Sequence, residues 1–80
     1  MLVDKHEIEP TGQGFVINRR RSGITGAWSE LRYNVYEIES LLPIWKAQVI
    51  DHAEMKSLHD GFVRDMEAAL QLEKEAAGAV

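Results

Sequence analysis

Residues 15–36 read FVINRRRSGITGAWSELRYNVY, from Phe15 to Tyr36. Two runs of alternating character flank the segment Ser22-Gly23-Ile24-Thr25-Gly26. Successive side chains of a strand point to opposite faces. Phe15, Ile17, Arg19 and Arg21 therefore share one face of the first run, and Val16, Asn18 and Arg20 take the other. In the second run, expected over residues 27–36, Leu31, Tyr33 and Val35 alternate against Glu30, Arg32 and Asn34. Alternation of period two on both sides of a glycine-bearing turn predicts an antiparallel pair.

Upstream, Pro10-Thr11-Gly12-Gln13-Gly14 carries the proline and glycines that a tight reversal needs. A further strand is expected before it, over residues 3–9, followed by a strand over residues 14–20. Downstream the pattern changes period. Leu41, Leu42, Trp45, Val49, His52 and Ala53 fall on one arc at 100° per residue, and Ser40 and Pro43 suit a helix start. Ser57-Leu58-His59-Asp60 resembles a capping box that opens a second helix, with Leu58, Phe62, Met66, Ala69, Leu70, Glu73 and Ala76 along one side. The helical part, residues 40–77, is expected to break near Ser57 into an αα-hairpin. One unbroken helix would be about 57 Å long, more than so short a chain can cover.

The expectation is a single α+β domain over residues 1–80, with an antiparallel sheet of two or three strands followed by two helices across one face. Phe15, Ile17, Leu31, Tyr33, Val35, Leu41, Trp45, Val49, Phe62, Met66 and Leu70 are its expected core. The chain is 80 residues long and has no cysteine, so neither disulfides nor thiolate metal sites reinforce a core that buries only about 60% of the unfolded surface. That thin core and the stripe through Phe62, Met66 and Leu70 make homodimerisation a further expectation. The opening residues Met1 to Glu7 hold no apolar run of a secretory leader, and no stretch is long enough to span a bilayer. A cytoplasmic protein with no membrane association is expected.

Catalytic chemistry finds few candidates. No cysteine is present, no Gly-x-Ser-x-Gly elbow occurs, and the glycines at 12, 14, 23 and 26 lack the Lys-Ser/Thr ending of a phosphate loop. His52 and His59 are seven residues apart, without the spacing of a zinc pair. No enzyme activity, no metal and no cofactor are expected.

Binding residues are easier to find. Arg19, Arg20, Arg21, Arg32 and Trp28 form a cationic, aromatic group of the kind that grips phosphate and stacks on bases, and that also dominates protein–protein hot spots. Their plainest use is pairing with Glu7, Glu9 or Glu30. Charge argues against nucleic acid: the net value is −4 and the sequence pI about 5.2. Residues 1–36 hold five basic and four acidic side chains, whereas residues 37–80 hold four basic and nine acidic ones. Glu67 and Glu73 stand for that acidic half as a second candidate contact surface.

In size, lack of cysteine, compact strands around Phe15-Val16-Ile17 and Leu31-Arg32-Tyr33-Asn34-Val35-Tyr36, and acidic helices from Glu37 onward, the chain resembles the small inhibitors that phages and mobile elements encode, anti-CRISPR proteins in particular. The resemblance is one of type, without a shared motif. It implies a cytoplasmic inhibitor that binds a host protein or ribonucleoprotein complex and blocks its access to DNA. A small DNA- or RNA-binding accessory protein that uses the arginine hairpin is the alternative.

Overall fold

The computed structural model describes residues 5–78. Three strands, β1 (Lys5–Pro10), β2 (Phe15–Arg21) and β3 (Trp28–Asn34), form an antiparallel sheet in the order β1-β2-β3. Two helices follow, α1 (Val35–Ala47) and α2 (Ala53–Gly78). The expected α+β arrangement is present, with all three strands. The expected strand start at Val3 lies outside the described residues.

Both turns follow from their glycines. Gly12 (φ 76°) and Gly14 (φ 92°) take left-handed conformations between β1 and β2, which L side chains disfavour. Between β2 and β3, the Ser22 hydroxyl accepts from the amides of Ile24 and Thr25, and Ser22 N–H donates to Ala27 O at 2.9 Å. Closing the loop on the Ser22–Ala27 pair sets the register, so Val16 lies opposite Tyr33, Asn18 opposite Leu31 and Arg19 opposite Glu30.

That register decides which face is the core. The helices cover the face carrying Ile8, Val16, Asn18 and Tyr33, and the buried cluster is Val16, Ile38, Leu42, Val63, Met66, Ala69 and Leu70. Ile8, Tyr33, Val35, Trp45 and Phe62 pack against it. Phe15 and Ile17, expected in the core, lie on the opposite, open face and are only half-buried. Leu31 has the right face but sits on an edge strand and stays 51% exposed. Val49 is 88% exposed, because it falls between the helices rather than inside one.

The helix boundaries also differ from expectation. Asn34, not Ser40, caps α1. Its side chain accepts from Glu37 N–H at 2.8 Å while its own N–H points to the Glu37 carboxylate at 3.5 Å. This reciprocal box stops β3 two residues short of the expected end and starts the helix at once. Pro43 therefore lies inside α1 rather than in its first turn, leaving Glu39's carbonyl without its usual partner.

The break between helices falls at residues 48–52, not at Ser57. Gln48 turns extended (ψ 132°), and its N–H donates back to Trp45 O at 3.3 Å. By Lys56, whose N–H donates to His52 O at 2.8 Å, a new helix has begun. Asp60 does not cap, because its carboxylate pairs with Lys56 one turn earlier, at 3.1 Å. The helices run antiparallel, tied by Lys46–Glu67 and Lys74–Glu39 ion pairs.

α2 has 26 residues, about 39 Å at 1.5 Å per residue, and lies within the 46 Å long axis of the molecule. Among the described residues, no helix is long and apolar enough to cross a membrane.

Candidate functional site

The open sheet face is built from β1 residues Lys5, Glu7 and Glu9, β2 residues Phe15, Ile17, Arg19 and Arg21, and β3 residues Trp28, Glu30, Arg32 and Asn34. Cross-strand neighbours on such a face interact in pairs. Arg19 is the hub. Its guanidinium lies 2.6 Å from Glu9 and 3.7 Å from Glu30, so one arginine bridges all three strands. The hydrogen bond that Arg19 donates to Glu9, with the nearby carboxylate charges, raises the Arg19 pKa above its ordinary value. Arg32 also reaches Glu30 at 3.7 Å and lies over the Phe15 ring, 5.3 Å from its centroid. Arg21 lies over Trp28 at 5.8 Å.

Four of the five arginine-group residues expected to act together therefore do share a surface: Arg19, Arg21, Arg32 and Trp28. Trp28 is 52% exposed, enough to offer a large ring to a partner. Arg20 is separated from them. It points to the helix-covered side, where it lines a cavity of about 260 Å³ with His6, Trp45, Met55, His59 and Phe62.

That cavity has an aromatic wall. His6 and Phe62 stack at 5.0 Å, Phe62 meets Trp45 edge-on at 5.0 Å, and Trp45 meets Tyr33 edge-on at 5.9 Å. His59 Nε2 is 2.7 Å from the Trp45 carbonyl oxygen, to which it must donate. This bond ties the first turns of α2 to the end of α1. His6 Nδ1 lies 3.4 Å from Oδ1 of Asn18, which is buried in the sheet. His6 and His59 thus serve as structural donors and ring partners. Among the described residues no group of three His, Asp or Glu side chains is placed to hold a metal ion.

The acidic candidates are engaged inside the molecule. Glu73 is 1% exposed and is no surface residue. Its two oxygens accept from Gly12 N–H at 2.6 Å and Gly14 N–H at 3.0 Å, clamping the β1–β2 turn to α2. Glu67 is half-buried and spent on Lys46. Sequence reasoning placed Glu73 with the apolar side of its helix but assigned it to a contact surface. Two glycine amides in a tight turn are the signal for a carboxylate partner, since such turns leave N–H groups unpaired.

The open face also carries Phe15 and Ile17, which the sequence groups with Arg19 and Arg21 but which were expected in the core, and Glu9 and Glu30, which pair with the arginines as expected. The face carries four cations (Lys5, Arg19, Arg21, Arg32) against three acids (Glu7, Glu9, Glu30), so it is nearly neutral. Comparison with family models, with curated proteins and with solved structures gave no match to this chain.

Proposed function

We propose that this protein is a non-catalytic binding module that docks on a partner protein through the open face of its sheet. The observation that carries the reading is the exposed Trp28 ring held against Arg21, beside the Arg32–Phe15 pair, on a face whose other charges offset one another. Tryptophan and arginine are the side chains that most often carry binding energy when a partner excludes water from them. A surface reading phosphate needs unpaired cations along a track, and Arg19 and Arg32 are already turned to carboxylates. The engagement of His6 and His59 supports the non-catalytic part of the reading. The resemblance in type to anti-CRISPR inhibitors makes a host nuclease or guide-RNA complex the first partner to test.

The test is capture from host lysate on immobilised protein, with wild type compared to the Trp28→Ala/Arg21→Glu variant after both are shown folded. A retained complex lost from the variant supports the reading, and equal retention by both overturns the assigned surface. A gel shift with random duplex at low salt supplies the other arm. Binding that fades steeply as salt rises would replace the protein partner with a nucleic acid.

A further inference from the structure

A three-stranded sheet has two edges, and here they are not equivalent. In antiparallel pairing, alternate residues of an edge strand bond to their neighbour while the others direct N–H and C=O outward. The bonds Ser22 N–H to Ala27 O at 2.9 Å and Val35 N–H to Gly14 O at 3.3 Å extend the β2–β3 ladder at its two ends. They fix its phase. Ser29, Leu31 and Tyr33 bond to β2, and Trp28, Glu30 and Arg32 present their backbone groups to the outer edge. On the far side, Thr11 N–H to Phe15 O at 3.3 Å sets the phase of β1, so His6, Ile8 and Pro10 face outward there.

The β1 edge is blunted. Pro10 has no N–H to give, α2 packs against the strand, and antiparallel self-pairing about Ile8 would set Glu7 against Glu9 of a second copy. The β3 edge, though α1 packs against its strand, has no proline and no like-charge clash about its centre. We infer that β3 pairs antiparallel with β3 of a second copy of this chain, about a two-fold axis through Leu31, to make a continuous six-stranded sheet.

The register follows from phase and charge together. Outward-facing residues must oppose outward-facing residues, which puts the axis on a residue rather than between two, and overlap of most of Trp28–Asn34 then leaves Glu30, Leu31 or Arg32. An axis at Glu30 sets Glu30 against its own copy, and one at Arg32 sets Arg32 against its own copy. Like charges directly opposite are destabilising. With the axis at Leu31, Glu30 faces the second copy's Arg32 and Arg32 faces its Glu30. Each of these pairs exchanges both backbone hydrogen bonds, and the two Leu31 side chains meet at the axis.

The helix layer continues the same seam. α1 packs against β3 while α2 packs against β1 and β2. Glu39 and Lys46 turn toward α2, where they find Lys74 and Glu67. Leu41 and Ile44 lie across the helix from that pair, on the side overhanging the β3 edge. Leu31 and Ile44, both exposed in the single chain, would be covered with the half-buried Leu41 by the same residues of the second copy. The stripe through Phe62, Met66 and Leu70, from which a dimer was first expected, is instead used within the chain. The inference goes beyond the open-face reading and does not depend on it.

An interface of one strand pair and one helix seam lies near the small end of specific contacts, so a dissociation constant of about 10–100 µM is expected. Sedimentation equilibrium over about 1–500 µM measures it. Glu30→Arg and Arg32→Glu should each weaken the dimer about tenfold or more, since each sets like charges opposite on both sides of the axis. The double variant, Glu30→Arg with Arg32→Glu, restores opposite charges and should return the wild-type constant. The two single variants mixed should form a mixed dimer tighter than either alone, read by native mass spectrometry with one of them nitrogen-15 labelled.

Amide exchange tests the same contact without substitution. The Glu30 and Arg32 amides should exchange freely in dilute protein and become protected as concentration rises. A monomer at the highest concentration would overturn the proposal. So would a dimer indifferent to both reversals, a double variant that fails to recover, or edge amides whose exchange ignores concentration.

Discussion

Replacing Glu73 with glutamine removes one charge and a few tenths of an ångström of geometry, yet it strikes the contact joining the two halves of the molecule. The carboxylate accepts from the Gly12 and Gly14 amides at 2.6 and 3.0 Å while itself 1% exposed. Hydrogen bonds to a charged acceptor are worth about 1.5–3 kcal/mol each and neutral ones about 0.5–1.5. Glutamine keeps one oxygen for one amide and turns its own NH2 toward the other, so one bond is lost and the second weakened. Both glycines are near solvent, and water can relieve part of the orphaned donor's cost. A net loss of about 2 kcal/mol is expected, against a total stability of about 4–12 kcal/mol for a chain of this length. In thermal melts followed by far-UV circular dichroism, that is a drop of roughly 8–16 °C. Glu75→Gln is the control: its side chain is exposed and accepts from Gln71 at 3.4 Å. A Glu73→Gln melt within about 2 °C of wild type would refute the clamp, because the turn would then hold without its anion.

Met66 is fully buried among Val16, Ile38 and Leu42, and Met66→Ala should cost about 2–5 kcal/mol in urea titrations at constant protein concentration. Asn34→Ala should lower stability by about 0.5–2 kcal/mol through loss of the α1 cap; an unchanged midpoint would mean the box with Glu37 contributes nothing. Gly61 sits inside α2, where an added Cβ meets nothing nearer than Arg64 Nη2 at 3.6 Å. Gly61→Ala should therefore raise the melting point by about 0.5–1 kcal/mol of added stability. Gly14→Ala has equally open space, but its φ of 92° makes the backbone resist. It should destabilise by about 1–2 kcal/mol, and a neutral result would show that the turn can relax.

The strands were legible because alternation and glycine turns are local signals. What alternation could not say was which face of β2 looks inward, since Phe15-Val16-Ile17 is apolar on both faces. The answer was present in loop length: pairing Ser22 with Ala27 puts Val16 opposite Tyr33 and sends Phe15 outward with the arginines. The α1 start was misread because Val35 and Tyr36 continue the alternation past Asn34, while the Asn34–Glu37 box ends it. The break at residues 48–52 carries no glycine or proline, and the Trp45 carbonyl there takes both the nearby Gln48 N–H and the distant His59 ring, the second of which no local pattern announces. Of the candidate surface, Arg19, Arg21, Arg32 and Trp28 are grouped by strand parity once the Ser22–Ala27 pairing sets the register. Arg20 went with them only by adjacency in sequence, and parity sends it to the other face.

α2 supplies Val63, Met66, Ala69 and Leu70 to the buried cluster, and Glu73 to the turn near the other end of the chain. A growing polypeptide makes the sheet and α1 first, and at that stage neither has the surface it needs to bury. Contacts of such large sequence separation form late and slow the search for the native state. The domain should therefore remain unfolded through most of its own synthesis and collapse only after α2 has emerged. During that interval the sheet's uncovered face with Ile8, Val16 and Tyr33 is open to chaperones and proteases. A stop codon before Val63 would leave not a shortened version of this fold but a chain without the α2 share of its buried cluster.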